Sequence, residues 1–259
     1  MYTRPVRILW KFPAAAIQAV DPSAWIDFVP SKSTRKLARN LDSILADSSL
    51  TFAIRPLTEE LYAEWYEMYT ALMLSQNHDV LAKSSWFADR HTAFREVNLV
   101  ELLSTKDSHR AGASIITCTA QDVWSKPYRA SERVEFTGHR NLSAGALLDL
   151  LSLRYIFSRK PSAVHSGSSR NAFGHFNNLG YLAYKLKMGY QPWIMPDYPI
   201  DAELPQTTPD TPTAWFVTPP DYAGEVVRLQ TLVVSPSQDV LNDELRTYVA
   251  HHNITIQVR

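Results

Sequence analysis

Apolar and polar positions alternate over Leu50–Pro56 (LTFAIRP), as in a strand with one buried face. Thr58 followed by Glu59 and Glu60 makes a helix start, and Leu61, Trp65, Met68, Tyr69 and Leu72 then recur at helical spacing on the inward side. Two further strands are predicted at residues 97–105 and 111–123, joined by the turn KDSHR, with Gly112 marking a bulge or a close backbone approach. Residues 133–138 (RVEFTG) are the next predicted strand, and they lead through HRNLSAG into a leucine-rich helix over residues 146–159. A short apolar strand at residues 162–166, a polar turn at 167–170, a helix and a strand starting at Tyr190 follow. In that helix Asn178, Tyr181, Lys185 and Gly189 recur at three- and four-residue steps, which places polar groups on one face. Gly189 stands where a left-handed cap ends the helix at least cost, and Pro192 prevents its resumption.

The flanks carry weaker patterns. Residues 1–30 are rich in Trp, Phe and Pro and read as an arm that wraps the surface or adds an edge strand. A helix starts at Ser31, with Lys32, Arg35, Lys36 and Arg39 in its first turns and Leu37, Leu41, Ile44 and Leu45 as its apolar stripe. Cations at a helix start oppose the macrodipole, so this face is either simply solvated or served by a phosphate-bearing partner. Residues 195–222 are dense in Pro and Thr and read as a linker or surface arm. A strand at 226–234, a helix at 238–252 and a strand at 254–258 close the chain, completing a sheet or pairing with a second copy in a homodimer. The expected division is an arm (1–30), an α/β domain (31–195) and a Pro-rich segment with a strand–helix–strand extension (196–259).

Composition narrows the classes. The 259 residues have a formal net charge of zero, so no global field draws the chain to nucleic acid or a membrane. The single Cys118 excludes an intramolecular disulfide, consistent with a cytoplasmic setting. The apolar run after Arg4, Arg7 and Lys11 is too short and too interrupted for a signal peptide, and no stretch is long enough to span a bilayer. His78, Asp79 and His91 are metal-ligand types, but loop-spaced sets of this kind arise by chance, and no metal is expected.

The run N-x-x-Y-x-x-x-K-x-x-x-G-Y-x-P, from Asn178 through Tyr181, Lys185, Gly189 and Tyr190 to Pro192, resembles the last conserved segment of the GNAT acetyltransferase superfamily. Lys185 leans toward its Fem-like branch, which includes aminoacyl-tRNA-dependent transferases. A second carrier is the turn Arg140-x-x-Ser143-x-Gly145, similar to the superfamily's pyrophosphate loop except for serine where the first glycine is expected. Such a loop needs successive amides aimed at phosphates, whereas the plainer reading is a helix capped by Ser143.

The resemblance implies an α/β fold with a twisted mixed central sheet flanked by helices. It also implies acyl-coenzyme A as donor substrate and a small-molecule or peptide amine as acceptor. Arg140, Asn141, Ser143, Ala144, Gly145, Asn178 and Lys185 would bind the donor. Glu135 would be the base, on the strand where the superfamily often places a carboxylate, although a plain surface glutamate fits equally; Glu101 is the second choice. Tyr184 would stand near the leaving thiolate. Three classes stay open: an acyl-coenzyme-A-dependent N-acyltransferase, a Fem-like transferase using charged tRNA, and a GNAT-fold binding module without catalysis. Cys118, without a recognisable histidine partner, does not suggest a thiol nucleophile.

Overall fold

The computed structural model describes residues 4–5, 8–77, 80–132, 136, 142–169, 179–194, 213–218, 230–234, 243–251 and 255–258. The chain begins with two short strands, β1 (Arg4–Pro5) and β2 (Ile8–Lys11), and a single helical turn, α1 (Ala14–Gln18). The basic helix of the amino-terminal third is broken in two, α2 (Lys32–Arg39) and α3 (Leu41–Asp47), where Asn40 donates its side-chain amide back to the Lys36 carbonyl at 2.7 Å. β3 (Leu50–Pro56), α4 (Glu59–Ser75), α5 (Trp86–Arg90), β4 (Glu96–Ser104), β5 (Arg110–Cys118) and β6 (Val123–Ser131) follow. Then come α6 (Ala144–Ser158), β7 (Ala163–Ser169), α7 (Leu179–Lys187) and β8 (Gln191–Ile194). The last elements are β9 (Thr213–Thr218), β10 (Gln230–Val234), α8 (Asp243–His251) and β11 (Thr255–Val258).

The hydrogen-bonded order of the seven-stranded sheet is β3-β4-β5-β6-β7-β2-β8, and a four-stranded sheet has the order β1-β9-β10-β11. The β3 to β6 neighbours are antiparallel, and β7 joins β6 in parallel with α6 as the crossover, so the sheet is mixed. Two compact units divide the chain: residues 14–26 with 35–165, and residues 1–13 with 27–34 and 166–259.

In the first unit α4 covers one face of the sheet and α6 the other. Trp65 and Tyr69 of α4 pack with Leu99, Ala113, Ile115 and Ala130 in one buried cluster. α6 is buried on nearly every side, with Leu147, Leu150, Leu151 and Leu153 wholly inaccessible, and Phe157 stacks on Trp25 at 5.8 Å. Such all-round apolarity marks a core helix rather than a half-exposed one.

In the second unit β2 pairs antiparallel with β8, Trp10 lying opposite Pro192. Within the Trp/Phe-rich start β1 does add an edge strand, to the four-stranded sheet, whereas β2 is interior, between β7 and β8, and Ile8 and Trp10 are fully buried. α7 ends as the glycine predicted. Gly189 has φ +90°, its amide bonds to the Leu186 carbonyl at 3.0 Å, and that of Tyr190 reaches the Lys185 carbonyl at 3.1 Å, the paired closure of a Schellman cap.

Two sequence expectations need correction, and a third is not covered by the described residues. Residues 111–123 are not one strand: β5 ends at Cys118, and Thr119 Oγ1 accepts from the amides of Gln121 and Val123 in a turn that Asp122 completes at φ +57°. Aspartate tolerates that left-handed conformation, so the chain reverses within the predicted strand without needing a glycine. The strand leading to the Ser143 turn is β6, within which Pro127 argues against a strand in isolation. The strand predicted at 133–138 lies outside the described residues, apart from Phe136, which is buried and in no strand. Finally, the Pro/Thr-rich stretch taken as a linker contains β9, which pairs with both β1 and β10.

Candidate functional site

The structure develops around the start of α6. Opposite β5, Ile115 pairs with Tyr128 and Thr117 with Ser125, so Ile116 alone faces both Lys126 and Pro127. This bulge accommodates a proline that cannot donate into a ladder. It also sets direction: three residues apart in a regular strand, Lys126 and Arg129 would point to opposite faces, whereas the extra residue turns both toward α6. There they meet Asp149. Lys126 Nζ lies 3.0 Å from Asp149 Oδ1 and Arg129 Nη1 lies 2.5 Å from Oδ2, all three side chains at least about two-thirds buried. Burial pushes the Lys126 ammonium below its usual range, while the Asp149 carboxylate pulls it back up.

Arg129 Nη1 also donates to the Gly145 carbonyl at 3.1 Å, joining β6 to the first turn of α6. A Cβ on Gly145 would lie 3.0 Å from Ser131 Oγ and 3.2 Å from the Arg129 guanidinium, so only glycine allows this approach. Ser143 caps the helix, its Oγ accepting from the Ala146 amide at 3.1 Å. Its φ of −108° is extended, so serine here meets no backbone penalty. The Leu147 amide bonds to the Ser143 carbonyl, and among the described residues the amides of Ala144 and Gly145 have no acceptor. Those two amides and the positive helix end are what an anion needs.

Ser143, Ala144 and Gly145 are thus together; Glu135, Arg140, Asn141 and Asn178 lie outside the described residues. Tyr184 is partly exposed on α7. Lys185 is buried, donates to the carbonyl and hydroxyl of Ser166 at 2.7 and 2.6 Å, and lies 5.1 Å from the Tyr181 ring centroid and 5.3 Å from that of Tyr190. It ties α7 to β7.

Glu101 is corrected as a base. It is wholly buried, Oε2 accepts from Arg55 and Oε1 from both Arg55 and Arg110, so the carboxylate is shielded from a substrate proton. Cys118 is inaccessible, and burial raises its thiol, which keeps it protonated and unreactive. His91 stacks on Phe87, with Nδ1 2.7 Å from the Phe87 carbonyl; His78 and Asp79 lie outside the described residues. Among the described residues no group of three or more His, Cys, Asp or Glu could hold a metal ion, and no helix is long and apolar enough to cross a membrane.

No family model matches the chain, and no curated protein matches it. Similar solved structures include a tandem GNAT protein from the clavulanic acid biosynthesis pathway, at 15% identity and a TM-score of 0.44, covering 74% of this chain and 52% of that one. FemX is similar at 9% identity and a TM-score of 0.48, with 73% and 60% covered. L-PGS from Bacillus licheniformis is similar at 12% identity and a TM-score of 0.45, with 74% and 59% covered. The chain thus spans about half to three-fifths of the length of the structures it matches. The fold class is α/β, with helices on a mixed sheet and a parallel strand added after an antiparallel run.

Sequence inspection overlooked Lys126, Arg129 and Asp149. The signals were present: a proline between two cations inside a strand, and one acid within a leucine-rich helix. Where β6 ends, Glu132 takes up His109 of the β4–β5 hairpin, Nε2 to Oε1 at 2.9 Å. The Glu132 hydrogen bond, then its charge, raises the His109 pKa. Its contribution is therefore fully present below the unfolded-state value of about 6.5 and disappears as pH rises through the raised folded value. Both side chains are more than a third exposed, so the pair is worth less than about 1 kcal/mol. The melting temperature of His109→Gln should lie slightly below wild type in mild acid and coincide with it by roughly pH 8.

Proposed function

We propose that the chain is an N-acyltransferase that moves an acyl group from acyl-coenzyme A to an amine acceptor by direct attack. The observation that carries this reading is the start of α6, where the first-turn amides of Ala144 and Gly145, which have no acceptor among the described residues, belong to a helix held against β6 by Arg129 and a close glycine contact. A diphosphate fits that chemistry, because backbone amides and the helix end favour negative charge. Arg140 and Asn141, which precede Ser143 in the sequence, would complete the phosphate cradle with it. Asn178 would fix the donor, and Lys185 would act through Ser166 by holding β7 in place.

The reaction needs a neutral amine, a stabilised oxyanion and a proton for the departing thiolate. In this mechanism Glu135 draws the amine proton through a water, the nitrogen attacks the thioester carbonyl, and the tetrahedral intermediate expels the thiolate near Tyr184. No covalent enzyme intermediate is invoked; the inert Cys118 thiol supports that choice.

A Fem-like reading, with an aminoacyl group taken from tRNA, has one observation in its favour. α2 exposes Lys32, Lys36 and Arg39 at steps of four and three residues, a stripe along one side of the helix. Melting the full chain with acetyl-coenzyme A or with charged tRNA separates the two, since a ligand that binds only the native state raises the melting temperature. A rise with acetyl-coenzyme A alone is expected; a rise with charged tRNA alone would favour the Fem-like donor, and none with either would oppose both.

A further inference from the structure

We propose that Arg55 and Arg110, held side by side on the buried carboxylate of Glu101, form an oxyanion-binding pair for a carboxylate or phosphate group of the acceptor. Glu101 sits in β4 between Ala53 of β3 and Ala113 of β5, both small residues. It points to the face that α4 covers, two residues beyond Leu99 of the core cluster. A bulge after Leu102 brings Arg110 opposite Leu103 and so onto the same face.

The contacts are close. Arg55 Nε donates to Glu101 Oε2 at 2.6 Å and Nη2 to Oε1 at 2.9 Å, while Arg110 Nε donates to the same Oε1 at 2.7 Å. Two guanidinium groups therefore share one oxygen atom and cannot move apart without leaving the carboxylate. Glu101 is 0% exposed, whereas the Arg55 side chain is 49% exposed. The remaining acid, Glu64 of α4, is 63% exposed and stands 3.5 Å from Arg110 Nη2.

Stability alone gives little reason for such a cluster. Taking a carboxylate fully out of water is costly, and well-packed apolar residues in place of buried ion pairs are often neutral or better. What the arrangement accomplishes is preorganisation. Each arginine carries five N–H donors, and those not used on Glu101 form planar forks suited to the oxygens of a carboxylate or phosphate. Two cations face one buried anion, and exposed Glu64 is a counter-charge that an incoming anion can displace. The transferase reading above is needed only to assign the anion to the acceptor; anion binding stands without it.

The test titrates the full chain with sodium phosphate and sodium acetate, using chloride at matched ionic strength as reference, in wild type, Arg55→Gln and Glu64→Gln. Wild type should bind at least one oxyanion saturably above chloride, phosphate preference marking a phosphate group and acetate preference a carboxylate. Arg55→Gln should weaken that binding about fivefold or more, and Glu64→Gln, at an exposed site that leaves the fold intact, should tighten it about twofold or more. Responses no greater than chloride in all three proteins, or the same affinity in Glu64→Gln as in wild type, would overturn the proposal. Acetyl-coenzyme A is titrated in parallel. Loss of oxyanion binding in Arg55→Gln with donor affinity retained confirms a separate site; wild type that binds oxyanion but no acetyl-coenzyme A would count against the donor reading alone.

Discussion

Trp10→Ala should lower the unfolding free energy by about 3–5 kcal/mol, the usual range for removing a large buried aromatic side chain. Trp10 is 0% exposed at the centre of β2, and Tyr181 of α7 meets it edge-on at 6.5 Å. Two residues further on, just past the end of β2, Phe12 packs edge-on to Tyr190 at 4.9 Å, and a Cβ on Gly189 would lie 3.1 Å from the Phe12 ring. Because β2 has a strand on either side, the cavity cannot collapse by letting an edge peel away. Urea unfolding measures this as a shift in midpoint at unchanged slope. A loss below about 1 kcal/mol would mean that the amino-terminal strand is dispensable to the sheet.

Glu135→Gln should slow the chemical step on the order of a hundredfold or more while donor binding persists, since it keeps size and hydrogen-bonding capacity but removes basicity. Glu101, the other carboxylate considered, is unavailable because both its oxygens are held by arginines. Single-turnover rates across neutral pH measure the effect; full turnover in the variant would remove Glu135 from the mechanism. Cys118→Ala is the companion, and it should retain turnover because the thiol is buried and protonated. If it abolished turnover in a folded chain, direct attack would be wrong.

Much of the first unit was readable from local pattern. β3 matches its alternation at both ends, α4 starts at the Thr58 cap, whose Oγ1 accepts from the Leu61 amide at 3.2 Å, and the Ser143 turn does open a helix. What escaped depends on partners distant in sequence. Nothing near Trp10 announces that its strand will lie between two others, because the β2–β8 pairing joins segments about 180 residues apart. Asp122 completes a left-handed turn inside the strand predicted at 111–123, and Pro127 sits at a bulge set by the pairing with β5. The Lys126–Arg129–Asp149 cluster and the Glu101 arginines join side chains from different elements, which no spacing rule within one element can reveal. Lys185 was assigned to a donor because its spacing matched a motif, while its burial on Ser166 depends on how α7 packs on β7.

The most direct measurement is a calorimetric titration of wild type and Gly145→Val with acetyl-coenzyme A, supported by circular dichroism to establish that both are folded. A valine side chain would press on Ser131 Oγ and the Arg129 guanidinium and displace the first turn of α6 from β6. Wild type should give saturable binding and Gly145→Val a dissociation constant at least about tenfold higher, or about 1.4 kcal/mol. No saturable heat with wild type, or the same dissociation constant in a folded Gly145→Val, would contradict a donor site at the start of α6.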